Sequence, residues 1–514
     1  MLSKKFFREF YLKTLKGFKE NKLSTFPLYI FLFFFLFFFF SIFLILPHAP
    51  FEKKHTLYRE GLWEDVKILT PYFTTNDSER SLSNLIFPSL FEFYNGKLIS
   101  KYLKNYFLNQ EKNELQIELE DNLFFANGEK ITTEDIRFSL EFAKKYSPLE
   151  LNRFFNNLEF KIINERQGIF YLTKTDNYFL YRLAYFKVLP SKIFSYYSPD
   201  FINLEISKFG PGAFVFKEIK EEGRKILILE RNKYFKERVY LKEIEFHIFK
   251  DQREALDAFF RKEIDGLAGI NYFNLPPGFK KRINIYEILM PRVIGIFLNK
   301  EKVKDENIFL FLSSKINRQD MIKKIFENKA EESKGIFSPS IRKILGLKES
   351  KEEIKKEIEK KEIKEINLNL VLPNSFFYPD IARYLKENFR INFKIVSPDE
   401  LNQIIRKKDY EALLYGINYG YPPNLSYFFS IGGINLNNFE NKILEKEFFD
   451  LRNDPQKDIF KTQEEIEKLI LDQKANIFLV NPYFIYIIDK KFKGFDINFI
   501  IDPTERFIKI NELR

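Results

Sequence analysis

Several short segments after residue 55 alternate apolar and polar side chains with a period of two, the pattern of strands buried on one face. Residues 114–120 alternate glutamate or glutamine with leucine or isoleucine, and residues 244–249 repeat this spacing. Residues 225–230 and 293–298 are nearly continuous apolar runs, which are typical of strands buried on both faces. The pattern therefore predicts a strand in each of these four segments.

Other segments have helical spacing. Thr132 followed by Asp135 predicts the start of a capped helix, in which apolar residues recur on one face between residues 136 and 143. Residues 253–263 and 380–389 predict two further helices. Because strands and helices alternate without an internal repeat, the sequence predicts an α/β fold.

One segment is dominated by charge. Residues 348–365 have nearly balanced lysine and glutamate, with only Ile354 and Ile358 four positions apart. Such a run favours a solvated helix or a flexible excursion, and binding to a partner is a less favoured alternative.

The start of the chain carries a long uncharged apolar run. Residues 26–46 are 21 consecutive residues without a charge, enough for a helix to cross the hydrocarbon core of a membrane. The flank at 47–50 is a poor match to a signal-peptide cleavage site, so we expect an uncleaved anchor. A buried core helix is the alternative. Basic residues precede the run. The positive-inside rule therefore places residues 1–25 in the cytoplasm and the chain after residue 46 outside the cell.

Composition narrows the choice of partners. The chain has no cysteine, which excludes disulfides, a thiolate nucleophile and a lipid-modified cysteine. Its net charge is +11, and the segment up to Lys22, with seven basic and two acidic residues, supplies +5 of it. The remaining basic residues are interspersed with acidic ones, which argues against a nucleic-acid-binding face. With 63 Phe and 27 Tyr, most aromatic rings are expected in the core.

Sequence signals of catalysis are missing. The three histidines, His48, His55 and His247, form no metal-ligand motif, and neither a nucleophile elbow nor a phosphate-binding loop occurs. Pairs of carboxylates are expected by chance in a chain with 30% charged residues. We therefore predict that the protein is not an enzyme and has no catalytic residue, metal site or cofactor.

Six short motifs follow one another between residues 57 and 322. They are 57–62 (LYREGL), 124–136 (FFANGEKITTEDI), 210–214 (GPGAF), 231–234 (RNKY), 262–265 (KEID) and 316–322 (INRQDMI). Their order and spacing resemble the family 5 extracellular solute-binding proteins, the oligopeptide-, dipeptide- and nickel-type binding proteins of ABC importers. The resemblance covers roughly residues 56 to 500, and it rests on order because each motif alone is weak.

The resemblance implies a two-lobed periplasmic-binding-protein fold of type II with an extra domain in the first lobe. The implied segments are a first lobe at 51–290, an extra domain at about 71–185, a second lobe at 291–484, and a return to the first lobe at 485–514. It also implies a monomer that encloses a peptide or similar solute between its lobes and delivers it to an ABC permease with its ATPases. The predicted anchor at 26–46 would replace the lipidated cysteine of many relatives.

The predicted binding loop departs from the family pattern. Peptide-binding relatives commonly carry an aromatic residue followed by Asp-Tyr-Pro-Asp-Pro, with an acidic side chain for the ligand's α-ammonium group. Here the loop is 416–424 (GINYGYPPN), in which Ile417, Gly420 and Pro423 take the places of the aromatic residue and the two aspartates. Either a carboxylate elsewhere pairs with the ammonium group or the ligand is not a peptide with a free amino group.

Seven residues are candidates for contact with the ligand, from the loop, from the first lobe and from the crossing between lobes. They are Asn418, Tyr419, Gly420, Tyr421, Tyr72, Asn76 and Arg292. Packing of a proline-rich turn is an equally good interpretation of the two loop tyrosines, and a structural surface role is the alternative for Tyr72, Asn76 and Arg292.

Because the loop aspartates are missing, a surface receptor or interaction protein that does not transport is the alternative function. A membrane-bound hydrolase that uses carboxylates is less favoured.

Overall fold

The structure of the protein is a computed structural model and describes residues 56–196, 204–270, 278–348, 367–375, 377–389 and 391–514. The predicted cytoplasmic tail and membrane anchor lie outside these residues, as does the charged run from residue 349 onward. Among the described helices, none combines the length and the apolar character needed to cross a membrane.

The strands vary from three to eight residues in length. They are β1 Leu57–Leu62, β2 Glu92–Tyr94, β3 Lys97–Ile99, β4 Leu103–Asn109, β5 Glu114–Leu119, β6 Leu158–Ile162, β7 Gln167–Leu172, β8 Phe214–Glu221, β9 Lys225–Arg231, β10 Glu243–Ile248, β11 Gly266–Ala268, β12 Ile283–Ile288, β13 Arg292–Leu298, β14 Ala330–Glu332, β15 Asn369–Pro373, β16 Asn392–Val396, β17 Ala412–Asn418, β18 Asn476–Pro482 and β19 Phe484–Asp489. The four strands predicted from the hydrophobic pattern are confirmed as β5, β9, β10 and β13.

The α-helices are interspersed among these strands. They are α1 Asp77–Ile86, α2 Thr133–Tyr146, α3 Leu149–Phe155, α4 Phe179–Arg182, α5 Ser191–Phe194, α6 Gln252–Phe260, α7 Glu306–Lys315, α8 Arg318–Phe326, α9 Pro339–Leu345, α10 Tyr378–Phe389, α11 Pro398–Lys407, α12 Ser426–Phe429, α13 Lys442–Asn453 and α14 Thr462–Leu471. Short 3-10 turns include Leu183–Tyr185, Pro503–Glu505 and Ile510–Glu512.

The three predicted helices are confirmed as α2, α6 and α10. Thr132 caps α2 through a capping box, in which the Asp135 carboxylate accepts from the Thr132 backbone N–H at 2.9 Å. The prediction for α6 extends three residues beyond its observed end at Phe260. Lys262 has a φ of +65°, and this left-handed backbone cannot continue a helix.

The described strands form two large sheets and two small ones. The first sheet has the order β12-β19-β11-β1-β10-β9-β8, with β1 parallel to both of its neighbours. The second sheet has the order β14-β18-β13-β17-β15-β16, in which β15 runs parallel to β16 and β17. The small sheets are the hairpin β2-β3 and the antiparallel sheet β4-β5-β7-β6.

The second sheet is buried on both faces. Along β13, Val293 and Phe297 belong to one apolar core, and Ile294 and Ile296 belong to the core on the opposite face. This arrangement explains why the strand is a continuous apolar run in the sequence, since successive side chains of a strand point to opposite faces.

Two short connections join the first and second sheets. The chain passes from β12 to β13 between residues 288 and 292, and it returns from β18 to β19 between residues 482 and 484. The connections are hydrogen-bonded to each other, because Asn481 donates to the Met290 carbonyl at 3.1 Å and Arg292 donates twice to the Pro482 carbonyl. Relative rotation of the two sheets would therefore concentrate at this paired crossing.

Candidate functional site

The segment 416–421, called the loop below, comprises the last three residues of β17 and the three that follow it, and it lines three cavities. The hinge cavity, about 380 Å³, includes Gly416 and Asn418 in its wall. The central cavity, about 490 Å³, includes Asn418 and Gly420. The outer cavity, about 1100 Å³, includes Gly420 and Tyr421. Because neighbouring cavities share residues of this loop, together they form one interrupted cleft along it.

The hinge cavity lies beside the paired crossing of the two sheets. Its wall includes Trp63 from the segment after β1, Arg292 from β13 and Tyr378 from α10. A Cβ at Gly416 would lie 2.3 Å from the Tyr378 hydroxyl, so a residue without a side chain is required there. Burial lowers the pKa of the Arg292 guanidinium to about 10, and its Nε and Nη2 atoms donate to the Pro482 carbonyl at 3.0 and 2.7 Å.

The wall of the central cavity includes residues from several distant parts of the chain. Tyr72 and α1, residues 184–187, and the segment 501–511 contribute to it together with the loop. The Asn418 amide nitrogen donates to the Ile501 carbonyl at 3.0 Å, so the loop and the segment 501–511 are directly joined across the cleft.

Two half-buried charges face this cavity. Burial lowers the pKa of the Lys187 ammonium group to about 8, opposed by the charges of Glu92 and Glu505. Burial raises the pKa of the Glu505 carboxyl to about 8, and the charge of Asp502 raises it further, whereas the Ile501 N–H and Lys187 lower it. The Lys187 ammonium donates to the Asn84 side-chain oxygen at 2.6 Å.

The outer cavity is wide and rich in aromatic side chains. Tyr185, Tyr427 and Phe449 line it and are 44%, 45% and 67% exposed. Exposed rings in one concave surface offer stacking and apolar contact to a ligand. The basic residues Arg153 and Lys174 lie in the same wall.

Part of the outer wall is closed by contacts between residues 176–178 and the second-sheet region. The Asn177 side-chain amide donates to the Leu451 and Asp454 carbonyls at 2.8 and 2.6 Å. The Tyr178 hydroxyl donates to the Pro423 carbonyl at 2.8 Å. These bonds hold the two walls of the cleft together on its outer side.

The four candidates in the loop have different surroundings. Asn418 lines two cavities, and its side-chain oxygen accepts from the Gly420 N–H at 3.1 Å. Gly420 has a φ of +72° and has open space at its Cβ position. Tyr421 is half-buried and packs on Phe93. Tyr419 is only 2% exposed, with its ring edge-on to Phe337.

The remaining candidates lie in two different places. Tyr72 lines the central cavity, and its hydroxyl accepts from the Lys187 N–H at 3.1 Å. Arg292 lines the hinge cavity. Asn76 is the N-cap of α1, where its side-chain oxygen accepts from the Glu79 N–H at 2.9 Å. Asn76 does not line any of the three cavities described above.

Sequence reasoning missed Lys187, Asp502 and Glu505, which line the central cavity. Each is a single charged residue outside any recognisable motif, in a chain in which 30% of residues are charged. Only the fold brings them to the cavity that Gly420 also lines.

The comparison with protein families identifies the group to which this fold belongs. The sequence profile of the bacterial extracellular solute-binding proteins, family 5 Middle, matches residues 97–437. The chain belongs to this family. The predicted resemblance is thereby confirmed, and the family is one of extracellular binding proteins rather than of enzymes. A search of curated protein sequences gives no match.

Solved structures show that the chain has the α/β fold of periplasmic binding proteins. The ABC transporter substrate-binding protein CtaP from Listeria monocytogenes superposes with a TM-score of 0.72 at 19% identity, over 90% of this chain and 99% of that chain. The oligopeptide-binding protein AppA from Bacillus subtilis, in complex with a nonapeptide, gives 0.64 at 17% identity over 89% and 98%. NikA from Staphylococcus aureus, in complex with Ni(L-His)2, gives 0.65 at 18% identity over 87% and 99%.

Proposed function

We propose that this family 5 protein captures a peptide or a solute of similar size between its two large sheets and delivers it to an ABC permease with its ATPases. The observation that carries the proposal is the cleft formed by the hinge, central and outer cavities along residues 416–421. Cavities of a few hundred Å³ to about 1000 Å³ are typical of small-ligand sites. No step of this function requires catalysis.

The binding mode follows from the strand at the edge of the cleft. β17 ends at Asn418, and residues 416–418 line the hinge cavity. An extended peptide that pairs its backbone with such a segment gains affinity without requiring particular side chains. The outer cavity, with its exposed aromatic rings, would then receive side chains or the distal end of a longer ligand. The peptide complexes of AppA and of DppA from Helicobacter pylori support this ligand class.

In this proposal, the first lobe is the region around the first sheet and the second lobe is the region around the second sheet. The positions of the two crossings support boundaries at 51–290, 291–484 and 485–514, with an extra domain at about 71–185. Closure would rotate the lobes about the paired crossing, and the ligand would favour the closed form only by its extra affinity for it. A single-pass anchor at 26–46 would keep a monomer at the outer face of the cell membrane.

Capture of peptides tests this proposal directly. The full-length protein is mixed with a pool of random hexapeptides and measured by native mass spectrometry. Thr74, which lines the central cavity, is changed to Trp to fill that cavity, and its exposed neighbour Thr75, outside the three cavity walls, is changed to Trp as a matched control. We expect peptide adducts with the unchanged protein and Thr75→Trp, and at least tenfold fewer with Thr74→Trp. Absence of adducts with the unchanged protein would contradict the proposal.

A surface receptor without a transport role is the second candidate. The observation that favours it is the loop 416–424, which lacks the aspartates of peptide-transporting relatives. Stimulation of a neighbouring permease's ATPase by the peptide-loaded protein distinguishes the two functions. Genes for such a permease beside the gene of this chain would favour transport, and a solitary gene would favour the receptor.

A further inference from the structure

The charges around the central cavity are not balanced. Six of the described lining residues are charged: Arg80, Glu92, Lys101, Lys187, Asp502 and Glu505. Arg80 pairs with Asp77, and Lys101 lies 3.1 Å from Glu92. Lys187 is left as one positive charge against the two carboxyl groups of Asp502 and Glu505. Within the described part of the chain, no lysine, arginine or histidine nitrogen lies within 4.0 Å of either carboxyl group.

The two acidic residues share a cavity with the loop position at which peptide-binding relatives carry a carboxylate. Gly420 and Glu505 line the same cavity. They are linked by a short chain of bonds, because the Asn418 amide donates to the Ile501 carbonyl at 3.0 Å and the Ile501 N–H donates to the Glu505 carboxylate at 2.9 Å. A carboxylate is therefore present at the same part of the cleft, on the segment 501–506 instead of the loop.

The segment 501–506, which carries the two acidic residues, is held in place by several hydrogen bonds. Asp502 caps the 3-10 turn Pro503–Glu505 and accepts from the Thr504 N–H at 2.9 Å. Arg506, the next residue, lies in a buried network in which its Nε donates to Glu60 at 3.3 Å and its Nη1 donates to Ser81 at 2.7 Å. The position of Glu505 is thus fixed by its neighbours before a ligand arrives, which reduces the entropy lost on binding.

We propose that the central cavity binds a primary ammonium group of the ligand through Glu505, supported by the charge of Asp502. This inference rests on the proposed function and specifies its ligand as a peptide, or a similar amine, with a free amino group. The segment 501–506 would then replace the loop carboxylate that Gly420 lacks.

The arrangement favours a cation over an anion at this position. An ammonium group between the loop and the segment 501–506 would balance the one negative charge in excess when both carboxyl groups are ionised. An anionic group would instead add to this excess of negative charge, which is costly in a half-buried site. Lys187 already donates to the Asn84 side-chain oxygen, and its single positive charge can compensate only one of the two carboxylates.

The chemistry of the ligand provides the test. Two pools of random hexapeptides are prepared, identical except that one is acetylated at the amino terminus. Binding of each pool to the full-length protein is measured by calorimetry and native mass spectrometry. A charge-assisted hydrogen bond contributes roughly ten- to hundredfold in affinity. We expect the free-amino pool to bind tighter by this factor, and Glu505→Gln to abolish the difference without changing the affinity for the acetylated pool.

Glu512→Gln is the matched control, since Glu512 lies in the same C-terminal region but pairs with Lys509 and does not line the central cavity. It should retain the full preference for the free amino group. Circular dichroism verifies the fold of each variant, and Glu505→Asp replaces Glu505→Gln if the latter does not fold, with an expected loss of about tenfold.

The outcomes separate the two proposals. Equal binding of both pools, or an unchanged preference in the Glu505 variant, would overturn the assignment of the ammonium site while peptide capture stands. Binding of neither pool would overturn the proposed function and, with it, this inference.

Discussion

The two walls of the central cavity are built in opposite ways. The loop 416–421 is uncharged and is positioned by aromatic packing, with Tyr419 against Phe337 and Tyr421 against Phe93. The facing segment 501–506 carries the carboxyl groups and is positioned by the buried ion pair between Arg506 and Glu60. The loop 416–421 therefore determines the shape of the cavity, and the segment 501–506 determines its charge. We expect substitutions in the loop to affect different properties from substitutions in the segment 501–506.

The largest effect is expected from substitution of Arg506, whose ion pair with Glu60 positions the segment 501–506. Arg506→Met leaves the carboxylate of Glu60, which is 0% exposed, without its cation, and breaking a buried pair in this way costs about 3–5 kcal/mol. The Tyr58 and Tyr486 hydroxyls, each 2.6 Å from Glu60, remain but supply no charge. Urea unfolding of the full-length protein measures the loss.

Lys509→Met is the control for this change, because its pair with Glu512 is half-exposed and should contribute less than about 1 kcal/mol. The double change Glu60→Gln with Arg506→Met should be less destabilising than Arg506→Met alone, since no unpaired charge remains. A loss below 1 kcal/mol for Arg506→Met would contradict the anchoring role.

A pH dependence of binding should come next in size. Because burial raises the pKa of Glu505 to about 8, this carboxyl is protonated at lower pH and must release its proton to face an ammonium group. Affinity for the free-amino pool should therefore rise by about tenfold per pH unit from pH 5 to pH 7, relative to the acetylated pool. Over this range the ligand amine and Lys187 both stay charged.

Calorimetry in two buffers of different ionisation enthalpy would detect the released proton. Asp502 and Lys187 face Glu505 and are present in every variant used here. The pH dependence should disappear in Glu505→Gln. If the ratio of the affinities for the two pools did not depend on pH in the unchanged protein, this would argue against an ammonium site formed by the ionisable carboxyl group of Glu505.

Returning the carboxylate to the uncharged wall should have a smaller effect. Gly420→Asp in the Glu505→Gln background places an acid on the loop where the family commonly has one. Space is available, since the nearest atom to a Cβ there is the Pro422 oxygen at 3.9 Å, although a φ of +72° costs a side chain about 1 kcal/mol. We expect recovery of roughly tenfold in affinity, and Gly420→Asn serves as the uncharged control.

The smallest effect is expected from Tyr419, which lines the outer cavity but is only 2% exposed. Its buried hydroxyl has no hydrogen-bond partner among the described residues. Tyr419→Phe should therefore change the free energy of unfolding by no more than about 1 kcal/mol and leave peptide affinity unchanged. A tenfold loss of affinity would show that this hydroxyl contacts the ligand.

The regular elements of this chain were predictable because burial imposes a period on the sequence. Strands β5 and β10 alternate apolar and polar residues, and β13 has no polar side chain from Val293 to Leu298 because both of its faces are covered. The start of α2 was predictable from Thr132 and Asp135, since a capping box is a local interaction. The family could be identified because its motifs keep their order along the chain.

The charged wall could not be predicted in this way. Glu505 is more than 80 residues from Gly420 in the sequence, and their proximity depends on how the segment 501–506 packs against the first sheet. Asn76 shows a local role that the candidate list did not anticipate, because this residue caps α1 and lines none of the three cavities. Local patterns identify elements, whereas a binding site depends on contacts between distant elements.

The position of β19 between β11 and β12 has a consequence for synthesis of the protein. β11 and β12 precede the entire second sheet in the sequence, and the strand that joins them begins only at Phe484. On the ribosome, these two strands emerge early and keep unpaired edges until the second sheet has been translated. Unpaired edges promote aggregation, so the nascent chain passes through a long interval in which protection by a chaperone would be most useful.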